Sequence, residues 1–198
     1  MHPRDHLFPT LSRVSPVFIG LFGLLNCILN PSYNSFYLFI ILLALFPTNW
    51  IIKEFIAKPI YNILKVNTLP LIGIGKRPDN ANGCGFILDN IKSTTFGMPS
   101  GHSQMIFTFG TYLLCKLIDK WHNSHLSTPL TAIGYIWIIG CVALLLAIMF
   151  YIAYCRIYID KCHTIQQVII GSLLGTVSGF LVYYFEPDAA NILEKILN

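Results

Sequence analysis

Residues 131–154 form a stretch of 24 residues without one charged side chain. At 1.5 Å per residue, a helix of that length crosses the hydrocarbon core of a bilayer and satisfies its own backbone polar groups there. Further apolar runs lie at 14–29, 36–46, 50–66, 103–118 and 167–185. Charged residues make up 11% of the 198 residues and hydrophobic ones 55%, whereas a soluble domain carries about a quarter charged residues. An ordinary soluble enzyme, a disordered tail and a collagen-like rod are thereby excluded. The net charge of +4 is too small and too scattered for a nucleic-acid stripe. The fold expected is all-α: one integral-membrane domain over residues 1–198, a multi-pass transmembrane bundle of five or six spans. Oligomeric state is not legible.

The run at 14–29 looks like a signal peptide, but it lacks a small-residue cleavage site and more spans follow, so it reads as a retained helix. Asn30-Pro31-Ser32 reads as a turn. Pro47-Thr48-Asn49 interrupts the next apolar region and leaves two arrangements open, one kinked span or two shorter helices with Asn49 as a cap. Residues 67–101 form a long loop rich in Gly and Pro, a length that usually signals function. The six cysteines include no C-x-x-C pair and read as small buried hydrophobes; a Cys84–Cys162 bridge is conceivable, but sequence does not establish it.

The runs at 103–118 and 131–154 make a helical hairpin whose polar connection, 119–129, lies on one membrane face. The loop ending at His102 and the loop at 156–163 must then share the other face. Two polar clusters, with histidines 61 residues apart, meet there.

Three clusters on that face carry chemistry. In Lys76-Arg77-Pro78, Arg77 offers a planar fork of donors suited to phosphate. Gly97-Met98-Pro99-Ser100-Gly101-His102 precedes an apolar helix whose first amides, with the Ser100 hydroxyl, make an anion cradle. His102 stands where a proton can be given to a leaving oxygen. Arg156 is followed by His163 and Gln167, which share a helix face at a spacing of four. A Gln167 oxygen accepting the Nδ1 proton of His163 leaves Nε2 free for attack. Taken singly, each cluster also suits a solvated loop or a cap. As a set they are the parts of phosphoryl transfer.

The order R-P, P-S-G-H, then R…H…Q between membrane spans resembles the three-part signature of the type 2 phosphatidic acid phosphatase superfamily, over residues 49–185. The resemblance implies an integral-membrane phosphatase with its site at the bilayer surface, acting on a lipid phosphate or diphosphate. His163 would become a phosphohistidine, His102 would protonate the leaving group, and Gln167 would orient His163. Arg77, Arg156, Ser100, Gly101 and Lys53 would bind phosphoryl oxygens. No metal or cofactor is implied, and His122 with His125 reads as a loop pair on the opposite face.

Three departures from the family pattern stand out. Six residues separate Arg156 from His163, one more than usual, which a bulge would absorb. Cys155 replaces the usual Ser, and Pro70 stands where the family lysine is expected, leaving Lys53 and Lys65 as candidates, with Lys53 in the better local context. His163-Thr164-x-x-Gln167-Val168 resembles the dolichyl diphosphate phosphatase branch, where Gln often replaces Asp, and favours a polyprenyl diphosphate. The alternative is a lipid-phosphate-binding membrane protein without turnover. A haloperoxidase-like oxidant conflicts with the membrane composition, and a transporter conflicts with ionisable groups gathered at one face.

Overall fold

The computed structural model describes residues 4–79, 81, 84, 95–127 and 131–197. They form α1 (Arg4–Leu29), α2 (Tyr33–Ile51), a π-helical turn (Ile52–Ala57) and α3 (Lys58–Ile63). A two-stranded antiparallel hairpin follows, β1 (Thr68–Leu69) with β2 (Gly73–Ile74). Then come α4 (Gly101–Ser127), α5 (Ala132–Tyr154), a second π-helical turn (Cys155–Ile159) and α6 (Ile165–Leu197). The fold is helical, as expected.

Among the described residues, four segments are long and apolar enough to cross a membrane: Ser12–Leu29, Tyr33–Ile63, Ala132–Ile159 and Ile165–Asp188. They turn apolar side chains outward; on α5, Ile133, Ile136, Trp137 and Phe150 are all exposed. In water such a surface would drive association, whereas acyl chains solvate it. α4 differs. It lies between α5 and α6 and buries Ser103, Gln104 and Thr108. Its polarity points inward, so it falls short of those four in hydropathy.

Local signals set the helix starts. Ser32 caps α2 by accepting from the Ser35 amide at 3.2 Å, and Thr131 caps α5 by accepting from the Gly134 amide at 3.3 Å. Of the two arrangements left open at Pro47, the continuous one occurs: Pro47 lies within α2, which runs through the π-helical turn into α3. Asn49 therefore caps nothing; its amide donates to Gln104 Oε1 at 2.7 Å and ties α2 to α4. The polar stretch expected as a connection from 119 is helical as far as Ser127, with Asp119 and Lys120 exposed. Polarity there ends the apolar run without ending the helix. Residues 128–130 of that connection, and the side chain of His125, lie outside the described set, while His122 is an exposed residue of α4.

Burial from water does little to hold two helices together inside a bilayer, because lipid tails are as apolar as leucine; close packing and polar contacts must serve. Gly171, Gly175 and Gly179 line one edge of α6 at helical spacing. A methyl group at these positions would run into the carbonyl oxygens of Ser100, Gln104 and Thr108, respectively. α4 and α6 therefore meet backbone to backbone. Around this seam pack Leu38, Leu42 and Leu45 of α2, Met105 and Ile106 of α4, Met149 and Ile152 of α5, and Val168 and Val182 of α6. Away from the His102 end of α4, buried Glu186 accepts from Tyr112 Oη at 3.0 Å and pairs with Lys116.

Candidate active site

The parity expected from sequence is found. The entry to α4 and the first turn of α6 meet, with the Ser100 backbone N–H donating to the Gln167 carbonyl at 3.0 Å. They close one end of a cavity of about 180 Å³ lined by Lys53, Arg77, Gly101, His102 and His163, with Pro16, Leu45, Phe46 and Met105 as its apolar walls. Among the described residues, no carboxylate lines it. A cavity with cations and no lining anion favours a negatively charged group.

His163 is buried, and its two ring nitrogens are both engaged. Nδ1 lies 3.0 Å from Gln167 Oε1, and Nε2 lies 3.1 Å from Arg77 Nη1. A guanidinium can only donate, so Nε2 carries the lone pair and Nδ1 the proton. The orientation of the Gln167 amide is fixed as well, because its Nε2 donates to the carbonyls of Ile74 and Lys76, each at 2.7 Å. The β-hairpin thus locks the amide that orients the imidazole. Gly97 leaves room for it: a methyl there would press on the Gln167 amide. Thr164 immediately precedes α6, its Oγ1 accepting from the Gln167 backbone N–H at 3.4 Å.

Burial first, then the charges of Arg77, Arg156 and Lys53, hold His163 well below the usual imidazole value of 6.5, against the opposing pull of its Gln167 hydrogen bond. Arg77 is lowered to about 10 by burial and by Arg156, so it remains a cation at neutral pH. It also donates to Thr95 Oγ1 at 3.0 Å and to the Cys162 carbonyl at 3.2 Å.

The two π-helical turns account for two irregularities of the sequence. The turn Cys155–Ile159 contains Arg156 and takes up extra chain between Arg156 and His163, as the expected bulge would. The turn Ile52–Ala57 carries Lys53 to the cavity, while Lys65 lies exposed beyond α3. Of the two lysine candidates, only Lys53 reaches the site.

Ser100, Arg156 and Gln167 are fully buried and lie behind the lining residues. Ser100 Oγ accepts from Ser103 Oγ at 3.0 Å. Arg156 donates through Nη1 to Asp160 Oδ2 at 2.8 Å and through Nη2 to the Cys84 carbonyl at 3.0 Å. Its Nε is the one buried side-chain N or O atom without a partner among the described residues. An unpaired N–H on a buried guanidinium is suited to donate to an anion. Cys84 and Cys162 are bridged, with Cα atoms 5.7 Å apart, which corrects the reading of all six cysteines as buried hydrophobes. The bridge joins the long loop to the segment bearing His163. Cys155 is buried as a free thiol.

Sequence reasoning missed Asp160 and Arg13, whose Nε donates to Asp160 Oδ1 at 2.8 Å. The one sequence signal for Asp160 is its acidic side chain in the short polar segment after Arg156. Arg13 gave none, because nothing in the sequence places α1 against this site.

A family model described as the PAP2 superfamily matches residues 36–190. The chain belongs to the PAP2 superfamily. Among curated proteins, this PAP2 chain is similar to dolichyldiphosphatase of Saccharomyces cerevisiae, at 32% identity over 52% of the chain and 38% of that protein. It is also similar to human dolichyldiphosphatase 1, at 29% identity over 92% of the chain and 65% of that protein. The matches thus span less than two thirds of either relative's length. No solved structure matches the chain.

Proposed function

We propose that this PAP2 protein is a five-span integral-membrane phosphatase, a single domain over residues 1–198, that hydrolyses a polyprenyl diphosphate or related lipid phosphate at the bilayer surface. The observation that carries the reading is the fixed tautomer of His163, its Nε2 lone pair turned toward Arg77 in a cationic cavity. A phosphoryl oxygen entering the cavity takes the Arg77 N–H and leaves that lone pair free. Nε2 attacks phosphorus, the bond to the leaving oxygen breaks, and His102, carrying a second proton once the anionic group is bound, supplies the proton that oxygen needs. Water then attacks the phosphohistidine, His102 takes its proton, and the P–N bond breaks to release phosphate. Lys53, Arg77, Arg156, Ser100 and the Gly101 amide bind the phosphoryl oxygens, with the unpaired Arg156 Nε supporting its part.

The diphosphate preference is supported by the names of the two relatives and by Gln167. A membrane lysine-arginine count would turn the site face to the cytoplasm, but the cations counted there belong to the site. The Cys84–Cys162 bridge on that face supports an oxidising compartment instead.

The test is phosphate release from a prenyl diphosphate and from phosphatidic acid by detergent-solubilised protein without added metal. Turnover and a labelled phosphohistidine are expected in the wild type, and neither in His163→Ala. Equal turnover by His163→Ala defeats the mechanism. Phosphate binding without any labelled intermediate in the wild type selects the non-catalytic alternative.

A further inference from the structure

α1 lies upstream of the segment that the family model matches, yet one of its residues reaches the site twice. The Arg13 carbonyl lies 2.9 Å from His102 Nε2. A carbonyl accepts and cannot donate, so that nitrogen bears its proton. The Arg13 side chain donates through Nε to Asp160 Oδ1 at 2.8 Å, while Arg156 holds the other oxygen of the same carboxylate at 2.8 Å. The Asp160 and Arg156 side chains are fully buried and that of Arg13 is only 18% exposed.

We propose that Arg13 is a positioning residue of this site, acting on phosphoryl binding through Asp160 and Arg156 and on the proton donor through its carbonyl. This inference rests on the phosphoryl-transfer reading above. The physical reason is charge balance. Asp160 holds Arg156 in place, but a carboxylate paired with one guanidinium leaves that corner of the site neutral, and a neutral corner draws an anion weakly. Arg13 adds a second guanidinium to the same carboxylate and returns the corner to a net positive charge. Arg156 is thereby both immobilised and still attractive to phosphate, with its Nε left to donate. Such an arrangement also makes the docking of α1 a condition for a complete site.

The test separates charge from architecture. Binding of inorganic phosphate is measured by calorimetry on the full-length detergent-solubilised protein, alongside phosphate release from a prenyl diphosphate. Arg13→Ala removes the guanidinium, keeps the carbonyl, and leaves Asp160 paired with Arg156; it should weaken phosphate binding by about tenfold, the scale of one charge acting across a partly screened site. Arg13→Lys should bind within about threefold of wild type, since the charge remains. The double variant Arg13→Ala with Asp160→Asn leaves Arg156 unopposed and should recover most of the affinity lost by Arg13→Ala. If the double variant binds no better than Arg13→Ala, or if Arg13→Ala binds like wild type, the inference is overturned. A wild-type protein that binds phosphate but never releases it from lipid defeats the proposed function, and the binding series still decides the role of Arg13.

Discussion

His163 and Gln167 are held 3.0 Å apart, Nδ1 to Oε1, and the amide cannot turn over without stripping donors from two backbone carbonyls. A glutamate could still accept from the imidazole, but without donations to Ile74 and Lys76 nothing would hold its carboxylate in line with Nδ1. Gln167→Glu is therefore expected to lower kcat on the order of a hundredfold through loss of imidazole alignment. It should also cost about 1–3 kcal/mol of stability through the two stranded carbonyls. Turnover and thermal melting, measured together, check both halves, and an unaltered melting temperature would contradict the second.

The pH profile follows from the position of His163 among cations. Protonation at Nε2 would remove the nucleophile, and burial with the neighbouring positive charges resists that protonation. The contribution of His163 to kcat/KM should therefore persist as pH falls through 6.5 and be lost only at lower pH. Arg77→Gln removes the largest of the charge causes, so the folded value rises and the acid limb should move up toward 6.5. Substrate ionisation is common to both proteins, so the displacement between their profiles is the quantity to compare.

Lys53 and Lys65 divide cleanly. Lys53→Ala removes a cation from the cavity lining and should raise KM at least severalfold, a charge-assisted contact being worth about 1.5–3 kcal/mol. Lys65→Ala changes an exposed residue and should leave kcat and KM where they were. Steady-state kinetics on the two variants would reverse the assignment if the effects were exchanged.

Reduction should weaken both fold and site. The Cys84–Cys162 bridge spans 78 residues of sequence, and opening it releases the backbone carbonyl to which Arg156 donates. A loss of about 2–4 kcal/mol is expected from cross-link removal. Melting and phosphate affinity should fall together in the Cys84→Ser, Cys162→Ser protein, and the wild type should show the same fall on addition of a reductant that reaches the bridge.

Gly175→Ala should destabilise the protein by about 1–3 kcal/mol, because the added methyl overlaps the Gln104 carbonyl and neither backbone has room to yield. Gly140→Ala is the control, since no described residue lies within 4 Å of a methyl group at that position on α5. Denaturation in detergent should rank the control close to wild type.

Much of the site was legible because its chemistry is local. The spacing of His163 and Gln167, the helix start after Pro99-Ser100-Gly101, and the parity of the hairpin were each fixed by a few adjacent residues. Lys53 was legible only as one of two choices, since a π-helical turn, not the count along the chain, decides which lysine reaches inward. The length of α4 was underestimated because Asp119 and Lys120 mark the end of apolarity and say nothing of helix continuity. The Arg13–Asp160 pair and the cystine join segments far apart in the chain, so the sequence could offer Cys84 with Cys162 as a conceivable bridge but could not establish it, and it held nothing that paired Arg13 with Asp160. The glycines at 171, 175 and 179 were in plain view, but their meaning depends on which helix lies opposite.

That glycine seam also acts as an alignment jig. His102 stands at the head of α4 and His163 just before α6, so the register in which these two backbones lock decides how far apart the imidazoles sit. The register is set over about 12 Å of helix running down from the site toward the bilayer interior. A substitution deep in that stretch, touching no substrate, would therefore surface as a kinetic defect, and a variant scored by distance from phosphorus alone would be misjudged as harmless.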